Sequence, residues 1–298
     1  MEYVDRLHSA ISRCNSPAMV GFDPRLEHLP EPFRSKAEES AAAAAAALIE
    51  YHRILIDILT NKVAVIKPQS AFFERLGHHG ILALADTCSY AKERGLLVLM
   101  DAKRGDIGST SEAYADTFLG GGFKNAFPAC DALTVNPYLG VDACEPFLEY
   151  AKKNNAGLYF LVKTSNPGAV SFQNHGDPTL AEVVAKQVSL WSSENMGSAS
   201  WSNIGAVVGA TRPAELANFR GLMPSTPLLL PGFGFQGGTV EGLGRAFDSN
   251  GHGAVINSSR GILFAHQRED LSYLSNWEDK TAHAVEEMVE QLSVFAKK

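Results

Sequence analysis

Three charged residues in one short segment have the types and spacing of an acid–base site. They stand in the run Asp101-Ala-Lys103-Arg-Gly-Asp106. Side chains at positions i and i+2 of a β-strand point to the same side, so Asp101 and Lys103 are expected to face one pocket. With Asp106 and Lys67 nearby, carboxylate and ammonium groups would alternate in one charged row.

The alternation of charge decides which chemistry Lys103 could perform. Neighbouring carboxylates favour the charged, protonated form of a lysine. A protonated lysine suits a proton donor or a group that stabilises a carbanion, whereas a Schiff-base nucleophile needs the free amine. A structural ion-pair network without catalysis is the alternative that this pattern leaves open.

Polar residues also follow most of the other predicted strands. Those strands are Ala18–Gly21, Val63–Ile66, Leu96–Met100, Ala132–Val135, Gly157–Val162, Ile204–Val208, Pro227–Leu230 and Ala254–Ile256. The polar residues that follow them include Asp23, Lys67, Asn136, Ser165, Thr211, Arg212 and Asn257. In a barrel of parallel strands, functional groups lie just after the carboxyl ends. Charges recurring at most of these ends therefore predict one functional edge.

The segments after the seventh and eighth strands are typical of a phosphate site. They read Gly232-Phe-Gly234-Phe-Gln236-Gly-Gly238 and Asn257-Ser-Ser259-Arg260-Gly261. Glycines let backbone N–H groups approach an anion, and barrels often bind phosphate at these two loops. Arg260 could bind the phosphate through a bidentate pair of charged hydrogen bonds. The glycines also fit a dinucleotide fingerprint, which is disfavoured because Asn257 stands where an acidic residue is expected.

The elements that must position these residues alternate between short apolar strands and helical patterns. Near-continuous runs of Val, Ile and Leu suit strands buried on both faces of a parallel sheet. Eight such strands, each followed by a helical segment, favour an α/β (β/α)8 TIM barrel over an open doubly wound sheet. We predict a single domain over residues 1–298, with an N-terminal helical segment at about 1–14.

Helix signals are clearest in three places. Apolar residues recur at helical spacing over Ala41–Leu59 and again in the terminal helix, up to Ala296. Asp177 as N-cap and Pro178 at the first helical position predict a helix over Thr179–Asn195. Two stretches are predicted to be insertions, and they are Glu27–Ser40 and Ser192–Asn203.

Composition disfavours two classes of partner. The 298 residues include 26 basic and 33 acidic side chains, for a formal net charge of −7. Proteins that bind nucleic acids or anionic membranes through overall charge need a basic surface, so neither partner is expected here. The longest apolar run, Ala41–Ile49, is too short to span a bilayer. No signal peptide is apparent, and four cysteines without metal-ligand spacing predict reduced thiols in a cytoplasmic protein.

Taken together, the motifs resemble one enzyme family. The segment from Asp101 to Thr110 occurs with Gly21-Phe-Asp23-Pro, Lys67-Pro, Pro231-Gly-Phe-Gly-Phe-Gln236-Gly-Gly and Ser259-Arg260-Gly. This combination is similar to the orotidine 5′-phosphate decarboxylases, especially their longer bacterial-type branch. The match runs from the first strand to the eighth, and it is most specific at the third.

The resemblance implies conversion of orotidine 5′-phosphate to UMP and carbon dioxide, the last step of de novo pyrimidine biosynthesis. It implies neither a metal nor an organic cofactor. By motif position, Lys103 would protonate C6, and Asp101 would lie against the scissile carboxylate. Asp106, Ile107 and Thr110 would reach into the partner's site of a homodimer with shared active sites.

The resemblance also assigns contacts to the rest of the substrate. Asp23 and Lys67 would hold ribose hydroxyls, and Ser165 would bind the pyrimidine. Gln236 and Arg260 would bind the phosphate. The backbone near Gly234 and Ser259 would assist at the phosphate. Lys67 would in addition extend the charged row.

Other functions on the same barrel stay open. A metal-dependent sugar-phosphate decarboxylase would need a divalent ion held by the strand-end acids. A Schiff-base aldolase would need a lysine with a free amine. A nucleotide-binding protein without activity would keep Arg260 and Gln236 but would not need Lys103 beside Asp101.

Overall fold

Eight parallel strands close into a barrel in the computed structural model, which describes residues 1–198, 200–209, 213–232 and 240–296. The strands are β1 (Ala18–Phe22), β2 (Val65–Pro68), β3 (Leu97–Arg104), β4 (Ala132–Val135), β5 (Gly157–Lys163), β6 (Ile204–Val208), β7 (Leu228–Pro231) and β8 (Ala254–Ser258). Each strand pairs in parallel with the next, and β8 pairs with β1. The predicted TIM barrel is confirmed.

Helices alternate with the strands and cover the outside of the sheet. Within the described ranges they are α1 (Tyr3–Cys14), α2 (Phe33–Ala37), α3 (Ala41–Leu59), α4 (Ser70–Glu74), α5 (Gly77–Glu93), α6 (Gly108–Ala115), α7 (Val141–Asn154), α8 (Val170–Gln173), α9 (Leu180–Glu194), α10 (Pro213–Leu222), α11 (Val240–Leu243), α12 (Arg260–Leu263) and α13 (Trp277–Leu292). All eight predicted strands overlap observed ones, and α3 has the predicted bounds.

The predicted start of α9 is wrong. Its N-cap is Thr179 rather than Asp177, and its first helical residue is Leu180. The Thr179 hydroxyl accepts a hydrogen bond from the Glu182 N–H at 3.3 Å, and the Glu182 carboxylate accepts one from the Thr179 N–H at 3.0 Å. This reciprocal capping box satisfies two backbone donors at once, so it sets the boundary. At the other end of the chain, α13 ends at Leu292, before the predicted Ala296.

The barrel interior is an apolar cluster to which every strand contributes one residue. These are Met19, Val65, Leu99, Ala132, Tyr159, Val207, Leu229 and Val255. Helix α1 closes the amino-terminal end of the barrel by packing Tyr3, Leu7 and Ile11 on this cluster. A Cβ at Gly157 would lie 2.3 Å from the Tyr3 ring, so this close approach requires glycine. The carboxyl ends of the strands lie at the opposite end of the barrel.

Polar contacts fasten α1 to the barrel. The Val4 N–H donates to Asn203 Oδ1 at 3.0 Å, and Arg6 forms an ion pair with buried Asp131. The Ser198 hydroxyl donates to Asp5 Oδ1 at 2.7 Å. Ser198 and Asn203 belong to the predicted insertion Ser192–Asn203, so that stretch helps to hold α1 in place.

The second predicted insertion, Glu27–Ser40, packs against the C-terminal helix. It contains α2, whose Phe33 ring lies 5.6 Å from the Tyr51 ring and 5.8 Å from the Trp277 ring. These three aromatic side chains join α2, α3 and α13. The insertion therefore extends the apolar layer between the helices.

The described residues bear on two predictions made from composition. No helix in the described ranges is long and apolar enough to cross a membrane. All four cysteines are free and buried, and they are Cys14, Cys88, Cys130 and Cys144.

A stacked histidine pair lies beneath the barrel. The rings of His8 on α1 and His252 before β8 are 3.8 Å apart with an interplanar angle of 5°. Both ring nitrogens of His8 are buried and have no hydrogen-bond partner among the described residues. Burial, and then the neighbouring His252, lowers the pKa of His8 to about 4. The folded protein therefore favours neutral His8.

Stability should fall with acid because of the buried His8. Between the ordinary histidine pKa of about 6.5 and the folded-state value of about 4, the unfolded chain binds a proton that the folded chain excludes. The free energy of unfolding should therefore decrease as pH falls through this window. We expect His8→Phe, which keeps an aromatic ring, to reduce the loss in melting temperature between pH 7 and pH 5.

The matched control is His175→Phe, at an exposed loop position. This variant should retain the pH dependence of the wild type. Thermal melts of all three proteins at both pH values provide the measurement. An undiminished acid loss in His8→Phe would contradict the assignment.

Candidate active site

A cavity of about 270 Å³ opens at the carboxyl ends of the strands. It is lined by Lys67, Asp101, Lys103, Thr134, Leu161, Thr164, Ser165, Asn166, Val207, Leu229 and Pro231. Polar groups from β2, β3, β4 and the β5 end thus meet above the apolar barrel interior. The predicted functional edge corresponds to this cavity.

A carboxylate between two ammonium groups forms the charged centre of the cavity. Asp101 Oδ2 lies 2.5 Å from Lys67 Nζ, and Asp101 Oδ1 lies 2.6 Å from Lys103 Nζ. The side chains of Asp101 and Lys67 are 8% and 6% exposed, whereas that of Lys103 is 42% exposed. Of the two lysines, Lys103 is therefore the one whose side chain is more accessible from the cavity.

Two neutral side chains complete the coordination of Asp101. The Thr134 hydroxyl donates to Asp101 Oδ1 at 3.0 Å, and Gln69 Nε2 donates to Oδ2 at 3.1 Å. Each carboxylate oxygen thus accepts one charged and one neutral hydrogen bond. Neither Thr134 nor Gln69 is among the site residues predicted from the sequence. Their positions could have marked them as candidates, because Thr134 lies near the end of β4 and Gln69 directly follows β2.

These contacts fix the charge states within the centre. Burial alone would raise the pKa of Asp101, but the Lys67 and Lys103 ammonium groups hold that pKa well below its ordinary value. Burial alone would lower the pKa of Lys67, but Asp101 and then Asp23 hold it above its ordinary value. At neutral pH, Asp101 is a carboxylate and Lys67 an ammonium.

The backbone at Lys103 departs from an ordinary strand. Lys103 has φ +49°, and the β3–β4 register shifts between Met100 and Arg104. The Lys103 N–H donates to Thr134 Oγ1 at 2.9 Å, which holds the irregular residue against β4. The i, i+2 rule correctly predicts that Asp101 and Lys103 meet, but their contact is made across this irregularity.

The β1 and β8 ends lie beside each other at the rim. A Cβ at Gly21 would lie 2.0 Å from Ser259 Oγ, so glycine allows this approach. Ser259 Oγ accepts a hydrogen bond from Asn257 Nδ2 at 3.2 Å. Asp23 Oδ1 is buried and has no hydrogen-bond partner among the described residues. It is an acceptor that a ligand hydroxyl could satisfy.

The predicted phosphate residues are only partly described. Gly234 and Gln236 lie outside the described residues, as do Thr211 and Arg212. Arg260 is exposed at the start of α12, next to Ser259. It contributes to a second cavity, of about 700 Å³, which Arg25 and Arg268 also line.

Asp106, Ile107 and Thr110 are not part of the cavity of their own chain. Asp106 Oδ1 accepts a hydrogen bond from the Ile107 N–H at 2.8 Å. The Ile107 side chain is 60% exposed, and Thr110 is also exposed. Within one chain the charged row therefore contains Lys67, Asp101 and Lys103, without the expected Asp106.

Metal chemistry would require a different arrangement of acids. Among the described residues, no three His, Cys, Asp or Glu side chains gather where they could hold an ion. The strand-end acid at the centre of the cavity, Asp101, already accepts four hydrogen bonds from protein side chains.

Comparison with known proteins identifies the family of the chain. Residues 47–271 match the sequence profile of the Orotidine 5'-phosphate decarboxylase / HUMPS family. The orotidine 5'-phosphate decarboxylase of Rhodopirellula baltica is 44% identical over 98% of this chain and 99% of its own. That of Caldicellulosiruptor saccharolyticus is 40% identical over 93% of this chain and 96% of its own.

Solved structures agree with the sequence matches. A putative orotidine 5'-phosphate decarboxylase from Streptomyces avermitilis superposes with a TM-score of 0.79 at 34% identity, covering 98% of this chain and 95% of its own. The Leishmania donovani OMP decarboxylase gives 0.76 at 31% identity, covering 99% and 98%. On these matches, which extend over almost the whole barrel, the chain belongs to the orotidine 5'-phosphate decarboxylase / HUMPS family.

Proposed function

We propose that this chain decarboxylates orotidine 5′-phosphate to UMP and carbon dioxide, the final step of pyrimidine biosynthesis. The observation that carries the proposal is the Lys67–Asp101–Lys103 row at the carboxyl end of the barrel. The geometry suits a reaction in which a carboxylate leaves and a proton takes its place. A cytoplasmic location is part of the same proposal, and four free, buried cysteines fit a reducing compartment.

The chemistry requires a fixed cation at C6 of the pyrimidine. When the bond from C6 to the carboxylate breaks, the electron pair stays on C6 and carbon dioxide departs. No ring carbonyl is placed to delocalise this sp² carbanion, so a preorganised positive charge must stabilise it. In the proposed mechanism Lys103 supplies that charge and then transfers its Nζ proton to C6.

The neighbours of Lys103 have distinct parts in this proposal. Asp101 holds Lys103 in place and, lying against the substrate carboxylate, would favour its departure by repulsion. Lys67 is buried and compensates the charge of Asp101 when Lys103 turns to the substrate. The unpartnered oxygen of Asp23 supports its assignment to a ribose hydroxyl. Arg260, with Gln236 and the backbone near Gly234 and Ser259, is assigned to the phosphate.

A homodimer with shared sites is the finer part of the proposal. Segments 104–111 and 136–143 lie together, because the Asn136 N–H donates to Arg104 O and the Ser111 hydroxyl donates to Ala143 O. They carry an exposed apolar patch that comprises Ile107, Tyr138, Leu139 and Val141. Exposed apolar side chains on two adjacent segments support an association site here. A second copy covering it would bring Asp106, Ile107 and Thr110 to the partner's cavity.

The charge states favour this function over a Schiff-base aldolase. A Schiff-base lysine must lose its proton to attack a carbonyl. The carboxylates beside Lys67 do the opposite, because they hold its pKa above the ordinary value. The engaged oxygens of Asp101 likewise disfavour a sugar-phosphate decarboxylase with a metal at the strand ends.

Turnover by the purified chain tests the function directly. We expect orotidine 5′-phosphate to be consumed in the presence of a chelator, with loss of its ultraviolet absorbance and release of one carbon dioxide per UMP. Activity that disappears in chelator and returns with a divalent ion would indicate the metal-dependent alternative. A lysine adduct trapped by borohydride would indicate the aldolase.

Replacing Lys103 tests the proton donor. We expect Lys103→Ala to lower kcat by at least about 100-fold, because a positioned general acid contributes at least that much. Binding of UMP should persist, since the ribose and phosphate contacts remain. The control is Lys186→Ala, on α9 away from the cavity, which should match the wild type. More than about a hundredth of wild-type kcat in Lys103→Ala would contradict the role.

Mixing two inactive variants tests the shared site. A heterodimer of Lys103→Ala and Asp106→Ala chains would contain one doubly defective site and one intact site. Random exchange makes half of the dimers heterodimers, so about a quarter of wild-type activity should return. Mixing Lys103→Ala with Asp101→Ala is the control, because both residues serve the same chain's cavity and nothing should return.

Subunit exchange should be verified by mass spectrometry before activity is measured. If exchange is complete and Lys103→Ala with Asp106→Ala still shows no activity, Asp106 does not complete a partner's site.

A further inference from the structure

The loop that follows β5, residues 164–174, closes on itself beside the active-site cavity. Its first residues, Thr164, Ser165 and Asn166, line that cavity together with Lys103. Its last turn is α8, whose Gln173 returns to the beginning of the loop. We refer to residues 164–174 as the β5 loop.

One side-chain amide closes the β5 loop with two hydrogen bonds. Gln173 Oε1 accepts from the Thr164 N–H at 2.9 Å, and Gln173 Nε2 donates to Thr164 Oγ1 at 2.7 Å. The Thr164 hydroxyl donates in turn to Asn166 Oδ1 at 2.6 Å. A carboxamide presents donor and acceptor on one rigid plane, so the two bonds fix both position and orientation.

A buried lysine anchors the other end of the loop. Lys163, the last residue of β5, is 7% exposed and donates to Asn174 Oδ1. Its Nζ also lies 3.7 Å from a Glu215 carboxylate oxygen on α10. A buried cation requires such partners, because leaving it uncompensated is costly. The loop is therefore bonded through Asn174 to Lys163 of β5, and Lys163 in turn pairs with the helix after β6.

The backbone of Ser165 is confined from a third direction. A Cβ at Gly209, which follows β6, would lie 2.8 Å from Ser165 N. The Gly209 N–H also donates to Lys163 O at 2.8 Å. Ser165 thus lies between the doubly bonded Thr164 and the end of β6, while its own side chain stays exposed at the cavity.

We infer that Gln173 is a positioning residue for the pyrimidine contact: by clamping Thr164, it holds Ser165 in place for the base before substrate arrives. This inference rests on the proposed function, which assigns Ser165 to the pyrimidine. Preorganisation of this kind increases affinity because the loop does not have to be ordered on binding. Gln173 would therefore affect ligands with a base and spare those without one.

Binding of two ligands to Gln173→Met tests the clamp. Methionine has a similar length but lacks both hydrogen bonds. We expect the Kd of UMP to rise about tenfold, because the freed loop would have to be ordered when the ligand binds. The Kd of ribose 5-phosphate, which has no base, should stay unchanged. Titration calorimetry measures both.

Three further variants separate positioning from general damage. Gln173→Glu can still accept from the Thr164 N–H, and from the Thr164 hydroxyl once that hydroxyl turns from Asn166, so it should restore most of the UMP affinity. Ser171→Ala, at an exposed position of the same helix, should match the wild type. If Gln173→Met does not fold, Thr164→Val, which removes the hydroxyl alone, should still weaken UMP selectively.

A double-mutant cycle decides whether Gln173 acts through Ser165. In a Ser165→Ala background, Gln173→Met should weaken UMP binding no further. Three results would overturn the clamp but not the role of Ser165. They are losses of UMP affinity that multiply in the double variant, equal losses of affinity for UMP and ribose 5-phosphate in Gln173→Met, and wild-type UMP affinity in Gln173→Met. Wild-type UMP affinity in Ser165→Ala would overturn the roles of both Ser165 and Gln173. Failure of the wild type to consume orotidine 5′-phosphate would instead overturn the proposed function.

Discussion

The arrangement of the active end depends on one buried carboxylate that must be neutralised. An unpaired Asp101 would be strongly destabilising at this depth, and removing one partner of a buried pair costs about 3–5 kcal/mol. Lys67, Lys103, Thr134 and Gln69 supply the required donors, two to each oxygen. These donors come from β2, β3, β4 and the residue after β2, so three neighbouring strands must end in a fixed register. The same contacts that stabilise the buried charge also position the proposed proton donor.

The barrel provides the rigidity that such a centre needs. One apolar residue from each strand fills the interior, and α1 closes the opposite end through Tyr3 and the contact at Gly157. This packing leaves the strand ends little freedom to move apart. At the rim, Lys103 adopts a left-handed backbone that costs about 1 kcal/mol or more. Its N–H bond to Thr134 and its ion pair with Asp101 offset that cost, so the local strain and the charged centre are maintained by the same residues.

The strands, the barrel and the meeting of Asp101 with Lys103 could be predicted because they follow from short-range patterns. Buried parallel strands consist of consecutive apolar residues. In barrels of this class, functional groups follow the carboxyl ends of the strands. The extension of β3 to Arg104 could not be predicted, since it arises from a register shift against β4. The contacts of Thr134 and Gln69 with Asp101 could not be predicted, because the position of a polar residue near a strand end does not identify its hydrogen-bond partner. Asp106 cannot be assigned to a site from one chain, because its expected cavity belongs to another copy.

In the proposed function, reaction chemistry and base recognition would draw on different parts of the scaffold. The charged centre lies on β2 and β3 and is supported by Thr134 of β4, whereas the β5 loop is bonded to Lys163 of β5 and lies against Gly209 at the end of β6. Both reach the cavity that Lys103 and Ser165 line. A change in the β5 loop can therefore alter how the base is held without disturbing the pairing of Asp101. The charged row differs, because loss of Lys67 or Lys103 would leave the buried Asp101 with one compensating charge fewer. In the proposed mechanism, the way the β5 loop holds the base is therefore structurally separate from the charge compensation within the row.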